Sequence, residues 1–344
     1  MTGEGPRALP FEIVKCHGSG NDFPLIDARD IDLTDAAWAQ VARALADRAG
    51  PVGGDGLLLL TGADHHHGFG MRMFNSDGSE AETCLNGLRC VARLGFERLG
   101  EERAAVKLKT TSARVERAAP LADGVYTVAE TAGPADLDAA RWVAVEGEHQ
   151  WVERAIPGLP SGRAFTAVAM PNPHLVAFVD AVDDEELSAV GRFAEAAPAL
   201  LPERANVSFV EARSHDTLFV RTFERGVGLT DSCGSAMAAA TYAAALTGRI
   251  AFDGAVVVLN KGGRVLARAG ADGMITIHGN ATFEWEGSVT VDLASAQAGD
   301  VTVARHFNDE IAAWAKVADT AVDPVSPDAI GVADPPAGLA QGAD

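Results

Sequence analysis

Two cysteines carry the strongest chemical signal in this sequence. Cys84 and Cys233 each lie ten residues after the phenylalanine of a strand-like run, Phe74 and Phe223, and each follows a polar, glycine-containing loop and a hydroxyl residue, Thr83 or Ser232. Each also opens a helix-like run, through Leu85-Asn86-Gly87 in one case and Gly234-Ser235-Ala236 in the other. A helix N-terminus offers unpaired N–H groups and the positive end of the helix dipole, which favour the thiolate of a group whose ordinary pKa is ~8.5. The same N–H groups can hold a carboxylate and the negative charge that builds beside it. If the two segments face each other, two thiols flank one cleft. That arrangement suits inversion at an amino-acid α-carbon, a very weak acid that needs a base on one face and an acid on the other. A lone cysteine is more often a small buried hydrophobe, and Cys16 and Cys90 keep that reading.

Positioning two thiols in this way requires two related units of strand, loop and helix. Strand-like runs cover Glu12–Val14 and Pro24–Asp27 around a glycine-rich turn, His17-Gly18-Ser19-Gly20-Asn21. An amphipathic helix is predicted over Asp35–Ala49, a buried strand over Leu57–Leu60, a strand over Met71–Phe74 and a helix over Leu88–Leu99. After strands at Val106–Lys109 and Val125–Ala129, a second set begins, with strands at Phe165–Met170 and Leu175–Val179. A helix over Asp184–Phe193 follows, then strands at Asn206–Val210 and Leu218–Phe223 and a small-residue helix over Ser235–Leu246. Further strands are expected at Ala255–Leu259, Val265–Ala269, Met274–His278 and Ser288–Asp292. Beyond Asp292, Val303–Val317 reads as one short helix, with Phe307, Ile311 and Trp314 on a common face. From Ala318 to Asp344 the chain has little to bury and reads as a disordered tail.

Composition narrows the function class. The 344 residues suffice for two domains, and a net charge of -20 argues against a nucleic-acid partner and against an anionic membrane surface. No run of about 18 apolar residues suggests a transmembrane span, and Met1–Pro10 lacks a secretory signal, so a cytoplasmic location is expected. Four cysteines in a large chain without a signal do not suggest a disulfide framework. No C-x-x-C occurs, and Cys84 and Cys90, six apart, project in different directions from a helix. The histidine run in Asp64-His65-His66-His67-Gly68 reads as a polar hairpin loop, because adjacent side chains do not converge on a metal. No P-loop or dinucleotide fingerprint is complete.

Several separated motifs in one order resemble the diaminopimelate epimerase family. They are Lys15–Phe23, Gly54-Asp55-Gly56-Leu57, Phe74–Cys90, Asn172-Pro173-His174, Arg204-Ala205-Asn206 and Glu224-Arg225-Gly226-Val227-Gly228, and the match runs from Lys15 to about Asp292. The resemblance implies an α/β (α+β) fold of two pseudo-symmetric halves, each a curved, mostly antiparallel sheet wrapped around a central helix. It implies one half over residues 1–132 with about 279–292, a second over 133–278, and an extension over 293–344. It further implies that Cys84 and Cys233 are the acid/base pair, and that His174 and Glu224 tune thiol ionisation, with Glu224 also meeting the reacting ammonium. Asn21, Asn75, Asn172, Asn206 and Arg225 would hold the distal amino-acid group of the substrate, and the helix starts Leu85-Asn86 and Gly234-Ser235 its α-carboxylate. No metal, pyridoxal phosphate or nucleotide is implied; the partner is a small amino acid, and the assembly a homodimer.

The activity this implies is interconversion of LL- and meso-2,6-diaminopimelate in lysine and peptidoglycan precursor synthesis. The alternatives are another cofactor-free racemase on the same fold, of histidine or proline type, and a non-catalytic amino-acid-binding relative. Three positions depart from the family's pattern: Leu85, usually glycine, Leu229, usually glutamate, and Ala236-Met237, usually a Gly-Ala pair. If position 85 required positive φ, leucine there would cost about 1 kcal/mol or more. Two facing thiols could also form a disulfide under oxidation.

Overall fold

The computed structural model describes residues 8–170 and 172–322. The first set of elements is β1 (Ala8–Gly18), β2 (Asn21–Asp27), α1 (Asp35–Ala46), β3 (Gly56–Thr61), β4 (Phe69–Asn75), α2 (Leu85–Leu99), β5 (Arg103–Lys107), β6 (Ser112–Ala118) and β7 (Thr127–Ala132). The second is β8 (Arg154–Ala155), β9 (Ala164–Ala169), β10 (Pro173–Phe178), α3 (Asp184–Glu195), β11 (Asn206–Ser214), β12 (Thr217–Glu224), β13 (Gly228–Thr230), α4 (Gly234–Leu246), β14 (Val256–Asn260), β15 (Gly263–Ala269) and β16 (Ile275–Asn280). The chain then runs through β17 (Thr282–Asp292), β18 (Gln297–His306) and α5 (Asn308–Val322).

Pairing repeats in the two sets. β2 and β3 are parallel and joined through α1, and β4 and β5 are parallel and joined through α2. β10 and β11 are likewise parallel across α3, and β12 and β14 across α4. Parallel neighbours need such crossovers, whereas the remaining pairs are antiparallel and joined directly or by long returns. The strands β1 to β7 wrap α2, and β9 to β12 with β14 to β16 wrap α4. The two sheets join where β16 pairs antiparallel with β7, and β17 returns to pair with β1 along almost its whole length.

Local sequence accounts for the main elements. β3 is a near-continuous apolar run, Leu57–Leu60, because both its faces are covered. Thr34 caps α1 by accepting from the Ala37 N–H, and Asp183 caps α3 through Glu185 and Glu186. The core is concentrated around α2 and α4, which pack the apolar faces of β2, β3, β14, β15 and β16. Gly18 lies so close to α2 that a Cβ there would sit 2.5 Å from the Asn86 carbonyl oxygen, which explains a glycine in the first turn of the chain.

The C-terminal region differs from the sequence reading. A strand, Gln297–His306, occupies a segment expected to lack one, and the helix spans Asn308–Val322 rather than 303–317. β18 is legible only weakly because it pairs with β17 alone and most of its side chains face solvent, so apolar alternation is not required. Phe307 and Trp314 are buried as the helical spacing predicts, whereas Ile311 is partly exposed. α5 lies across β15 and β17, with Trp314 against Gly263 and near His17, and Glu310 paired bidentately with Arg93 of α2 at 2.5 and 2.8 Å. The expected disordered segment falls, from residue 323 onward, outside the described residues. No helix among the described residues is long and apolar enough to cross a membrane.

Candidate active site

Both thiols are N-cap residues. Cys84 precedes α2 and Cys233 precedes α4, each in extended backbone. The two helix starts abut: a Cβ built on Gly234 would lie 2.6 Å from the Leu85 Cβ and 3.4 Å from the Asn86 backbone nitrogen. Leu85 itself is helical, has no positive φ, and is buried against Gly234, so the strain considered for that position is absent. The leucine fills the seam between the helices, and the glycine opposite makes room for it. Leu229, the second departure, sits on β13 with its side chain partly exposed. Ala236 and Met237 are buried in α4, and the Met237 sulfur accepts from Asn260 Nδ2 at 2.9 Å.

The thiols have different neighbours. Cys84 Sγ accepts from the Gly87 N–H at 3.4 Å and lies 3.7 Å from Asn21 Oδ1. Cys233 Sγ lies 3.6 Å from Ser235 Oγ. Burial pushes the Cys84 thiol up to about 12; the Gly87 N–H opposes this and Glu224 adds to it. Burial also pushes the Cys233 thiol well above its ordinary range, with Glu224 as the next contributor in the same direction. The sequence reading, a thiolate favoured at each helix start, is therefore corrected. The helix end does favour the anion, but loss of water outweighs it. Cys84 is also among the groups that push the Cys233 thiol up.

Glu224 ends β12 beside Cys233. Burial raises its carboxyl to about 7, the Cys233 thiol and Arg225 pull it down, and Asp55 pushes it up. A carboxyl near neutrality against a thiol is suited to exchanging a proton with it. His174 is buried, and its Nε2 lies 3.1 Å from Asn172 Oδ1 and 3.3 Å from Asn206 Nδ2. Burial, then Arg225, lowers its pKa to about 3, so the ring is neutral. It orders two asparagines and is hydrogen-bonded to neither sulfur.

Asn172 and Asn206 are joined through His174 and lie beside Ser235 and Arg225. Asn172 Nδ2 lies 3.4 Å from Ser235 Oγ, and Asn206 Oδ1 accepts from the Arg225 N–H at 2.7 Å. The Arg225 guanidinium donates to the Glu203 carbonyl at 3.1 Å and has no carboxylate partner among the described residues. Asn21 donates to Asp55, and Asn75 donates to Ser79 Oγ at 2.9 Å within the loop leading to Cys84. The Asn86 side-chain amide is held by Arg89 and Ser232, so its part in the sequence reading remains that of a backbone N–H at the helix start.

Three features of the site escape the sequence reading. Asp55 belongs to a charged cluster in which Arg48 bridges it to Asp22, and Lys15 pairs with Asp22 at 2.5 Å. Arg89 is buried beneath the Cys84 helix start. Ser232, just before Cys233, is buried and receives Asn260 Nδ2 at 3.2 Å. Asp55 and Ser232 stand inside segments the sequence does single out, but nothing in their spacing announces these partners. The His65–His67 loop is organised by Asp64 Oδ1, which receives the His66 and His67 N–H groups at 2.9 and 3.0 Å.

Comparison with known proteins follows the same residues. The sequence model of the family described as Diaminopimelate epimerase matches residues 13–135 and 166–284. A diaminopimelate epimerase of Clostridium acetobutylicum is 37% identical over 290 residues, covering 83% of this chain and 87% of the relative. One from Listeria innocua is 37% identical over 293 residues, covering 82% and 89%. Among solved structures, a Pseudomonas aeruginosa protein described as a predicted epimerase gives a TM-score of 0.59 at 18% identity, over 80% of this chain and 98% of that one. A hydroxyproline epimerase from Agrobacterium vitis gives 0.56 at 14% identity, over 84% and 94%; these two structures speak to the fold alone.

Proposed function

The chain belongs to the diaminopimelate epimerase family and is an isomerase, and from that premise we propose that its cleft interconverts LL- and meso-2,6-diaminopimelate with Cys84 and Cys233 as the proton-transferring pair. The observation that carries this reading is the meeting of two cysteine-capped helix starts at Leu85 and Gly234. One sulfur removes the α-proton as thiolate while the other, as thiol, protonates the opposite face. For a substrate of the other hand the roles exchange.

The electrostatics support an enzyme whose charge separation develops with substrate present. Burial keeps both thiols protonated at neutral pH. A substrate ammonium brought beside Glu224 supplies the positive charge that a thiolate needs, because an opposite charge within ~4–6 Å favours the ionised form. Backbone N–H groups at Leu85, Asn86, Gly234 and Ser235 are suited to the reacting carboxylate. Asn21, Asn75, Asn172 and Asn206 offer donors and acceptors to the distal amino-acid end, and Arg225 turning from Glu203 would pair with its carboxylate. No cofactor takes part in these steps. Homodimeric assembly and a cytoplasmic location belong to the same proposal, on the strength of the family.

The test is incubation of the reduced protein with LL-diaminopimelate in deuterium oxide, with Cys84→Ala and Cys233→Ala alongside. Meso product bearing α-deuterium, formed by the native protein and lost in both variants, is the expected result. Turnover surviving in either variant would overturn the two-thiol assignment, and absence of product from the native protein would overturn the substrate.

A further inference from the structure

Arg89 lies in the second turn of α2, five residues after Cys84, and is buried, its guanidinium bonded to other side chains and a carbonyl of the protein. Its Nη1 donates to Glu130 Oε1 of β7 at 2.6 Å, and its Nε to the Asn280 carbonyl at 3.0 Å. Its Nη2 donates to Ser19 Oγ at 3.2 Å and to Asn86 Oδ1 at 2.7 Å. A guanidinium has donors only, so the Asn86 amide oxygen must face Arg89 and its Nδ2 must point the other way. That Nδ2 reaches Ser232 Oγ at 3.3 Å, on the opposite helix start. Ser232 Oγ takes a second donor, Asn260 Nδ2 at 3.2 Å, from the end of β14.

The result is a continuous polar chain, Glu130–Arg89–Asn86–Ser232–Asn260, that crosses from the α2 unit to the α4 unit. Its crossing link joins the second residue after one thiol to the residue just before the other. Beside it, Leu85 and Gly234 are in apolar contact. Stability alone is a weak reason for the chain: a buried ion pair seldom exceeds an apolar replacement of equal volume. Glu130 Oε2, moreover, is buried without a hydrogen-bond partner among the described residues. The directional property of the chain is different: Arg89 fixes the Asn86 amide, which donates to Ser232 Oγ, and Asn260 donates to the same oxygen from the other side, so the chain fixes where one helix start sits against the other.

We propose that Arg89, Asn86 and Ser232 are positioning residues that set the separation of the Cys84 and Cys233 sulfurs for proton transfer on opposite faces of one α-carbon. This rests on the two-thiol reading of the site. None of the three need touch the substrate through its side chain; they act through the two N-cap cysteines.

The experiment compares Ser232→Ala, Ser232→Thr and Arg89→Lys with the native enzyme, with Thr241→Val as a control that removes another buried hydroxyl from the α4 unit. Each is measured for kcat and KM on LL-diaminopimelate. Each is also measured for the rate at which diamide joins Cys84 to Cys233, read by peptide mass spectrometry. Ser232→Ala is expected to lower kcat roughly 10- to 100-fold with KM nearly unchanged, since misplacement by about 1 Å costs this much. It should slow disulfide formation about tenfold, as the effective concentration of one thiol at the other falls. Ser232→Thr should restore both, Arg89→Lys should follow Ser232→Ala, and Thr241→Val should alter neither. If Arg89→Lys does not fold, the Ser232 pair decides alone. Ser232→Ala with native kcat and a native oxidation rate overturns the proposal. If the native enzyme does not turn over diaminopimelate, the function falls, while the oxidation rates still decide whether the chain sets the sulfur spacing.

Discussion

The two central helices begin alike and are built differently. α4 is buried along almost its whole length with apolar and small side chains, Gly234-Ser235-Ala236-Met237 and then mostly alanine, so backbone and β-carbons pack directly against the surrounding strands. α2 is as deeply buried but carries Arg89 and Arg93 inside, held by Glu130 and Glu310. The same asymmetry appears at the thiols. Cys84 has a backbone N–H at 3.4 Å and Arg89 behind it, whereas Cys233 faces the carboxyl of Glu224. Duplication of a strand–loop–helix unit thus gives two similar thiol sites, and the buried charges around them make the sites unequal.

The inequality can be attacked at Glu224 first. Glu224→Gln is expected to lower kcat about 10²- to 10³-fold, within the usual range for a group that handles protons. In the native enzyme kcat/KM should rise with pH through about 7 as the carboxyl ionises, and Glu224→Gln should lose that limb. A pH profile unchanged by the substitution would remove Glu224 from the Cys233 side of the comparison. The sign for stability is opposite. A carboxyl raised from 4.5 to about 7 contributes stability below 4.5, and that contribution is lost as pH rises through 7.

A smaller effect is expected on the α2 side. Glu310→Ala leaves the buried Arg93 without its bidentate partner and should cost about 2 kcal/mol, less than a fully buried pair because Glu310 is partly exposed. Urea denaturation of the variant against the native protein measures it, and no change in midpoint would mean that α5 does not brace α2. At the seam, Gly234→Ala should destabilise by about 1–2 kcal/mol by crowding the Leu85 Cβ, and Leu85→Gly in the same chain, which removes that atom, should recover part of it. Additive losses in that double-mutant cycle would show that the two helix starts are not in contact. The mildest prediction concerns reactivity: iodoacetamide should label Cys84 about tenfold faster than Cys233, since Cys84 is partly exposed and Cys233 is buried. Faster labelling of Cys233, read by peptide mass spectrometry, would reverse the comparison.

Much of this molecule is legible in the chain itself. Apolar periodicity placed α1, α3 and the strands around them within a few residues, because each element buries one face or both in a regular pattern. The recurring phenylalanine-to-cysteine spacing marked both thiols and the helices they open, since an N-cap and the glycine-containing loop before it are local features. β18 was not legible, having one neighbour and little to bury.

The amino-acid sequence by itself determined the two units, the cysteine at the start of each central helix, and the set of amides and charges able to meet an amino acid. Only the tertiary structure decided how those groups are employed. It turned the Asn86 amide toward Arg89 and Ser232, left His174 neutral among asparagines, and set Leu85 against Gly234. It also reversed the expected direction of the thiol pKa values through burial. The physical reason is that caps and periodicity act between neighbours along the chain. Desolvation and hydrogen-bond direction depend on atoms brought together from distant segments, such as Arg89 and Asn280 or Asn86 and Ser232.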